Sequence, residues 1–303
     1  MTAGPAPDGL HGTGARGGGL DLTVWGCGGS VPVGRPGRAR WGGDTTCLEL
    51  RRIGAAEVLV VDLGSGARDL GEALAAEAED TGRAVRAEVL LSHFHLDHVI
   101  GLPFFAPLYD DAAQVTLHAG LVPDDASLAA RLRGFAAPPW FPIEPLARPA
   151  ARFRALAPGR PFRAAGFEVT PFACRHPGGA VGFRIACAEA SVAVVGDHEH
   201  GDPEIDRGVA EAVAGADLMI YDAAYEDADY PAHRGWGHST WQVGADLARA
   251  AGVGRVLFHH HLPSLDDPDL DARDARVRAA APFAQLARQG MRLRVRGGKV
   301  QGL

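Results

Sequence analysis

The sequence predicts an α/β protein in which two β-rich halves pack their sheets face to face, with helices outside. Short apolar runs typical of buried strands alternate with segments whose apolar residues recur at helical spacing. Several consecutive predicted strands also lack an intervening helix, which favours antiparallel pairing over a simple alternating βαβ fold. The 303 residues fit one large domain of this class, expected over residues 20–303.

In the first half, β-branched or leucine-rich runs that end in glycine-rich loops predict strands, and an acidic first turn helps to mark a helix. The predicted strands are 20–25, 45–50, 57–63, 87–92 and 114–118. The predicted helices are 67–79 and 124–135.

The second half has the same style of pattern without repeating the sequence. Its predicted strands are 167–173, 181–186, 191–196, 218–221 and 255–259. Its predicted helices are 203–214, 240–251 and 272–289. The proline- and arginine-rich segment 136–166 is expected to be an irregular excursion.

Charge and cysteine content exclude several classes of protein. Thirty basic residues against 37 acidic ones give a net charge of −7, which argues against nucleic-acid binding by bulk charge and against adhesion to anionic lipid. The four cysteines are far apart and form no C-x-x-C pair, which excludes a disulfide framework and a four-thiolate zinc site.

Residues 1–19 are rich in Gly, Pro and Ala without an apolar stretch, so a flexible leader is expected rather than a signal peptide. No apolar run reaches the roughly 18 residues of a membrane helix. The sequence therefore predicts a soluble, cytoplasmic protein without a membrane partner.

The strongest chemical signal is the hexapeptide His-Phe-His-Leu-Asp-His at 93–98. Side chains two apart in an extended segment point the same way, so His93 and His95 can bind one metal together. Asp97 and His98 fall where the chain turns and can face a second ion. Neutral imidazole and carboxylate are ligands that Zn²⁺ accepts.

Further candidate ligands follow strands downstream, where loops collect into a site. They are His176 after strand 167–173, Asp197 after 191–196, and the run His259, His260 and His261 at the end of strand 255–259. The neighbours His198, Glu199 and His200 are candidates for groups that fix ligand orientation.

The pattern His93-x-His95-x-Asp97-His98, followed by His176, Asp197 and a late histidine, resembles the metallo-β-lactamase superfamily over nearly the whole chain. The resemblance implies an αβ/βα four-layer sandwich with a dinuclear metal site at one edge. It implies two divalent metal ions, with Zn expected and Mn or Fe as alternatives.

The same resemblance distributes the ligands between two metals. His93, His95 and His176 would hold one metal. Asp97, His98 and a terminal histidine would hold the other, with Asp197 bridging the two. Counting through the last strand favours His260 as that terminal ligand, and His259 is the alternative. An aspartate rather than a cysteine at the bridging position is unlike the zinc enzymes that open β-lactams.

The stretch Tyr221-Asp222-Ala-Ala-Tyr225 and the later Gly-His-Ser-Thr are similar to the phosphodiesterase branch, which includes tRNA 3′-processing endonucleases. The similarity implies that Asp222 orients His238, and that His238 donates a proton to the leaving oxygen or contacts the phosphoryl group. Asp97, Asp222 and His238 are therefore the expected catalytic residues. The competing interpretation is that Ser239 merely caps the following helix and His238 is incidental.

The segment between His98 and His176 departs from the tRNA-processing pattern, because it is aromatic and proline-rich instead of carrying a glycine-rich basic arm. The expected substrate is thus a small phosphodiester or cyclic nucleotide, attacked by a metal-bound hydroxide, and folded RNA is disfavoured. The alternatives are hydrolysis of a carbonyl ester, thioester or lactone, and a non-hydrolytic metabolite-binding protein. A homodimer is compatible with the sequence.

Overall fold

The structure, a computed structural model, describes residues 18–303, so residues 1–17 of the expected leader lie outside it. Within residues 18–303, fifteen strands form two sheets. They are β1 (Leu20–Gly26), β2 (Cys47–Arg52), β3 (Val58–Val61), β4 (Arg86–Leu91), β5 (Gln114–Ala119), β6 (Ala151–Ala155), β7 (Phe162–Ala164), β8 (Phe167–Cys174), β9 (Ala180–Cys187), β10 (Ala190–Val195), β11 (Leu218–Asp222), β12 (Arg255–His259), β13 (Ala284–Leu286), β14 (Arg292–Arg296) and β15 (Lys299–Gly302).

Six α-helices accompany the sheets in the described part of the chain. They are α1 (Ala67–Thr81), α2 (Leu96–Val99), α3 (Asp125–Phe135), α4 (Pro203–Val213), α5 (Trp241–Ala250) and α6 (Asp267–Ala280). None of these helices is long and apolar enough to span a membrane.

Both sheets are mixed, and they contain antiparallel pairs of the kind that the sequence predicted beside parallel ones. The first has the order β15-β14-β1-β2-β3-β4-β5-β6 and the second the order β13-β12-β11-β10-β9-β8-β7. Strands β3 to β6 pair in parallel, and so do β10 to β13, whereas the remaining pairs are antiparallel. The carboxyl ends of the parallel strands therefore gather in each sheet, where they can present side chains to one site.

The four layers arise because successive side chains of a strand point to opposite faces of its sheet, one toward the other sheet and one toward the helices. In β3, Leu59 and Val61 belong to the core between the two sheets, while Val58 and Val60 pack outward with α1 and α3. The outer face of the second sheet packs with α4, α5 and α6 in the same way. The predicted αβ/βα four-layer sandwich is confirmed.

Two predictions along the chain are wrong. Segment 136–166, expected to be irregular, contains β6 and β7, which are the edge strands of the two sheets. Their residues are only partly buried, so arginines alternate with apolar residues and no buried run appears. The predicted helix 272–289 is instead α6 followed by β13, because a capping box at Asp266 starts the helix early and Pro282 follows its end.

The remaining predicted strands and helices coincide with observed elements, with ends that differ by a few residues. Strands β13, β14 and β15 were not predicted. All four cysteines are free, in agreement with the absence of a disulfide framework expected from their spacing, and Cys174 is buried at the end of β8.

Candidate active site

The hexapeptide 93–98 connects β4 to the one-turn helix α2. His93 continues the buried end of the strand, and His95 precedes the helix in an extended conformation. The helical turn then directs Asp97 and His98 inward, where both are buried. A hydrogen bond from the Leu63 N–H to the His98 carbonyl, 2.9 Å long, ties this turn to the end of β3.

One group of potential ligand atoms joins His93, His95, His176 and Asp197, all within 4.8 Å of one another. The His176 Nε2 atom lies 2.9 Å from His95 Nδ1. The Nε2 atoms of His93 and His176 each lie 3.7 Å from Asp197 Oδ2. These atoms could hold one metal ion.

A second group joins Asp97, His98, Asp197 and His260, again within 4.8 Å. His98 Nε2 lies 3.4 Å from Asp97 Oδ2 and 3.3 Å from Asp197 Oδ1. His260 Nε2 lies 3.4 Å from Asp97 Oδ2 and 3.4 Å from Asp197 Oδ2. Asp197 is common to both groups, as expected of a bridging ligand.

Of the three consecutive histidines after β12, His260 is the one that enters the site. Its φ of 64° lies in the left-handed region, which turns its ring away from the direction of the strand. The His259 ring faces the Val195 carbonyl at 3.5 Å, and the His261 Nε2 donates to the Ala287 carbonyl at 2.8 Å. The alternative of His259 as terminal ligand therefore loses its geometric support.

The residues present fit a pair of divalent ions. Among the described residues, four buried atoms that face the two groups have no hydrogen-bond partner, namely Nε2 of His93, His98 and His260 and Oδ1 of Asp197. Buried polar atoms are rarely left unpaired, and imidazole nitrogen with carboxylate oxygen is a donor set suited to zinc. The geometry therefore agrees with the ligand set expected from the sequence.

Opposite charges inside the site are strongly coupled. Burial raises the pKa of Asp197, but the neighbouring His260 and His98 outweigh burial and hold it well below its usual value. Burial lowers the pKa of His98, yet Asp197 and Asp62 raise it well above the usual value. In the metal-free protein, the raised pKa values of His98 and His260 favour protons on these two rings, which offset part of the carboxylate charge that bound cations would balance.

Asp62 orients the candidate ligand His98 and was not identified from the sequence. Its Oδ2 atom accepts the Nδ1–H of His98 at 2.8 Å, which leaves Nε2 of that ring free to face the carboxylates. Asp62 follows β3 with a φ of 60°, and a lone aspartate after a strand carries no local signal of this role. A second overlooked contact is the Ser30 N–H, which donates to Asp97 Oδ2 at 2.7 Å.

The predicted Asp222–His238 pair is present beside both groups. The His238 Nδ1–H donates to Asp222 Oδ2 at 2.8 Å, and Asp222 is fully buried at the end of β11. The His238 ring stacks on His260 with centroids 4.3 Å apart and lies 5.2 Å from the His176 ring. His238 itself remains partly exposed, so a substrate can reach it.

The competing interpretation of this loop is wrong in its capping residue. Thr240, not Ser239, caps α5, and its hydroxyl accepts the Val243 N–H at 3.2 Å. Ser239 Oγ lies instead 2.7 Å from His200 Nδ1 and accepts the Tyr221 hydroxyl at 3.0 Å. The loop before α5 is thus fixed by the Thr240 cap at the start of the helix and by the hydrogen bonds of Ser239 with His200 and Tyr221.

Such a sandwich, with histidine and aspartate ligands gathered at the ends of strands from both sheets, defines the class of metallo-β-lactamase-fold proteins. Residues 59–261 match the Beta-lactamase superfamily domain, and the chain belongs to this superfamily. Together with the ligand groups, this supports the predicted class of a metal-dependent hydrolase.

Individual relatives are more distant. The chain is 27% identical over 274 residues to ribonuclease Z of Bradyrhizobium diazoefficiens, a match covering 72% of this chain and 88% of that protein. The fold is similar to the metallo-beta-lactamase fold protein YhfI of Bacillus subtilis, with a TM-score of 0.68, 20% identity, and coverage of 91% of this chain and 98% of YhfI. A diphosphatase of the PhnP family gives a TM-score of 0.62 at 17% identity, covering 94% of this chain and 98% of that one.

Proposed function

We propose that this chain is a dinuclear-metal phosphodiesterase that hydrolyses a small phosphodiester or cyclic nucleotide in the cytoplasm. The observation that carries the proposal is the Asp222–His238 pair, which lies beside two ligand groups that share Asp197. A substrate with a poor alkoxide leaving group suits this arrangement, because the metals would activate the nucleophile and the adjacent histidine would protonate the leaving oxygen.

The ligand assignment is part of the proposal. His93, His95 and His176 would hold one ion, Asp97, His98 and His260 would hold the other, and Asp197 would be shared between them. Divalent ions such as Zn²⁺, Mn²⁺ or Fe²⁺ held there would supply a nucleophile from water at neutral pH and would polarise the phosphoryl oxygens.

The chain itself supplies the proton for the leaving group. Asp222 accepts the Nδ1–H of His238, which fixes the orientation of the ring, as a carboxylate does for a catalytic imidazole. When Nε2 of that ring carries a proton, it is free to protonate the departing oxygen. Asp97 accepts a hydrogen bond from the Ser30 N–H, and this bond links the second ligand group to the loop after β1.

A small substrate is favoured by the segment between His98 and His176. Instead of forming a separate arm, this segment contributes β5 and β6 to the first sheet, β7 and β8 to the second, and α3 to an outer layer. Its residues Leu102, Phe105 and Leu146 are buried in the core beneath that layer. RNA cleavage is the second candidate function, because the matched relative in Bradyrhizobium is a ribonuclease Z.

The experiment compares substrates on one metal-loaded preparation. The substrates are bis(p-nitrophenyl) phosphate, a 2′,3′-cyclic nucleotide, a tRNA precursor with a 3′ trailer, a thioester and a lactone. We expect turnover of the first two above all others. Preferred cleavage of the tRNA precursor would favour the second candidate, and preferred thioester or lactone turnover would refute the proposal. Inactivity on every substrate with Zn²⁺, Mn²⁺ and Fe²⁺ would favour a metabolite-binding protein.

The role of the acid group is tested by His238→Ala. We expect kcat on the cyclic nucleotide to fall by about 10²- to 10⁴-fold with the metal content retained, because general acid catalysis contributes on that order. His233→Ala is the matched control, since this histidine lies on the same loop but contacts the backbone carbonyl of Asp229 instead. Loss of metal from His238→Ala would show that His238 is a ligand and not the proton donor.

A further inference from the structure

A buried carboxylate lies next to the site without belonging to either ligand group. Glu199, two residues after Asp197, is only 3% exposed. Its Oε1 atom accepts the Gly235 N–H at 2.8 Å and the Tyr230 hydroxyl at 3.0 Å. Its Oε2 atom accepts the Gly237 N–H at 2.9 Å. One carboxylate thus binds the loop before His238 at three points.

The loop that Glu199 binds needs an external restraint. Gly235 and Gly237 have φ values of 86° and 90°, in the left-handed region that glycine adopts without cost. A side chain at position 237 would also collide with the His176 ring, so glycine is required there. Because glycine permits many conformations, these residues allow the loop shape but do not fix it. The two peptide N–H groups that converge on Glu199 supply the fixation.

The loop in turn positions two functional side chains. The Gly237 carbonyl accepts the Nδ1–H of His176 at 2.8 Å, which leaves Nε2 of that ring for a metal. Gly237 also directly precedes His238. On the other side, the Glu199 N–H donates to the Arg175 carbonyl at 2.7 Å, one residue before His176. Glu199 therefore connects the segments that carry Asp197, His176 and His238.

We propose that Glu199 is a positioning residue that sets the proton donor His238 and the His176 tautomer together, through the backbone of Gly237. It does not touch the substrate. The link to His238 as the acid rests on the proposed function, whereas the link to the loop and to His176 does not.

The first test is independent of activity and uses Glu199→Gln. The amide keeps one accepting oxygen and places an NH₂ group where the other accepted, so at least one loop N–H loses its partner. In metal-free protein, we expect amide exchange over residues 230–238 to be faster by on the order of tenfold, since a lost charged hydrogen bond makes local opening easier. Glu211→Gln, an exposed site on α4, is the matched control and keeps the wild-type rate. Wild-type exchange in Glu199→Gln would overturn the proposal.

The same pair of variants is then titrated with Zn²⁺ against a chromogenic chelator. We expect weaker binding of one of the two ions to Glu199→Gln, by on the order of tenfold or more, as for other groups that orient a metal-ligating histidine. The control retains both affinities. Unchanged affinity for both ions would overturn the link between Glu199 and His176.

The third test uses the leaving group. A p-nitrophenolate departs without a proton, whereas an alkoxide needs one, so a displaced His238 harms alkyl esters more. With Zn²⁺ at a concentration that saturates both sites of every variant, we expect Glu199→Gln to lower kcat at least tenfold more for a cyclic nucleotide than for bis(p-nitrophenyl) phosphate, and to add no further loss in the His238→Ala background. Equal losses on both substrates, or an additive loss in that background, would reduce Glu199 to a structural role. If wild-type protein hydrolyses neither substrate, the proposed function fails while amide exchange and zinc affinity still decide the role of Glu199.

Discussion

Replacing Asp62 by asparagine would test how the second ligand group is organised. Asp62 is 1% exposed and accepts three hydrogen bonds, from the Ser92 N–H at 2.7 Å, the Ser92 hydroxyl at 2.8 Å and His98 Nδ1 at 2.8 Å. Its positive φ is one that asparagine also tolerates, so Asp62→Asn leaves the backbone unstrained. The substitution therefore changes the charge and the hydrogen-bonding capacity of one group while keeping its size and shape.

The magnitude follows from where the new NH₂ group points. If it faces His98, then Nδ1 of that ring must become the acceptor and the proton moves to Nε2, the atom that faces Asp97 and Asp197. If it faces the Ser92 N–H, a buried donor is left unpaired, at about 1–3 kcal/mol. The second arrangement is the costlier of the two, so the first is expected, and its changed His98 tautomer lowers the metal affinity by about 10- to 100-fold, as for other groups that orient a metal-ligating histidine.

The assay is a zinc titration of metal-stripped protein against a competing chelator that resolves two sites. We expect one site to weaken by that factor in Asp62→Asn, while the other changes little. Asp246→Asn, on the exposed surface of α5, is the matched control and retains both affinities. If both sites of Asp62→Asn stay within twofold of wild type, the hydrogen bond to His98 does not govern metal binding and the reasoning is refuted.

Three further outcomes are expected. Phe183→Ala, in the core between the sheets, lowers the free energy of unfolding by about 3–5 kcal/mol in urea, and a loss below about 1 kcal/mol would contradict that packing. Burial raises the pKa of Glu226, but the hydrogen bond from Arg276 and the charge of Arg273 outweigh it and lower the pKa. This stabilisation exists above the ordinary glutamate pKa and disappears as pH falls through the lower folded value, so Glu226→Gln flattens the acid side of a stability–pH curve, and an unchanged acid slope would contradict the ion pair. Chelation of a metal-loaded sample lowers Tm, reversibly on adding Zn²⁺, and an unchanged Tm would exclude metals bound at the buried ligands.

Strands covered on both faces were predictable because their sequences are continuously apolar. β10, β11 and β12 lie in the middle of the second sheet and are buried along almost their whole length. β6 and β14 differ because one face of each is solvated, which places arginine at alternate positions. The period-two alternation in β14 is itself a strand signal, but a short amphipathic strand is hard to distinguish from a polar loop.

The residues that gather in the candidate site were predictable for a related reason. The hexapeptide 93–98 encodes its geometry locally, since two histidines at spacing two share one side of an extended chain. Asp62 lies 36 residues from His98 and meets it only because β3 and β4 are parallel neighbours whose carboxyl ends coincide. Glu199 was recognised as a candidate for fixing ligand orientation, but its partners lie on a loop more than 30 residues away. Such contacts depend on topology, which single residues do not encode.

The site also couples the two halves of the fold. His93, His95, Asp97 and His98 extend from the first sheet, whereas His176, Asp197 and His260 extend from the second, so each ligand group draws on both. Ion binding therefore adds free energy to the packing of one half against the other. Without ions, the charge of the buried Asp97 and Asp197 is offset mainly by the neighbouring His98 and His260, whose pKa values are raised, and burying such charges is costly. The edge of the sandwich that carries the two ligand groups should then open more readily than the core between the sheets. When Zn²⁺ is added, amide exchange should slow first at this edge.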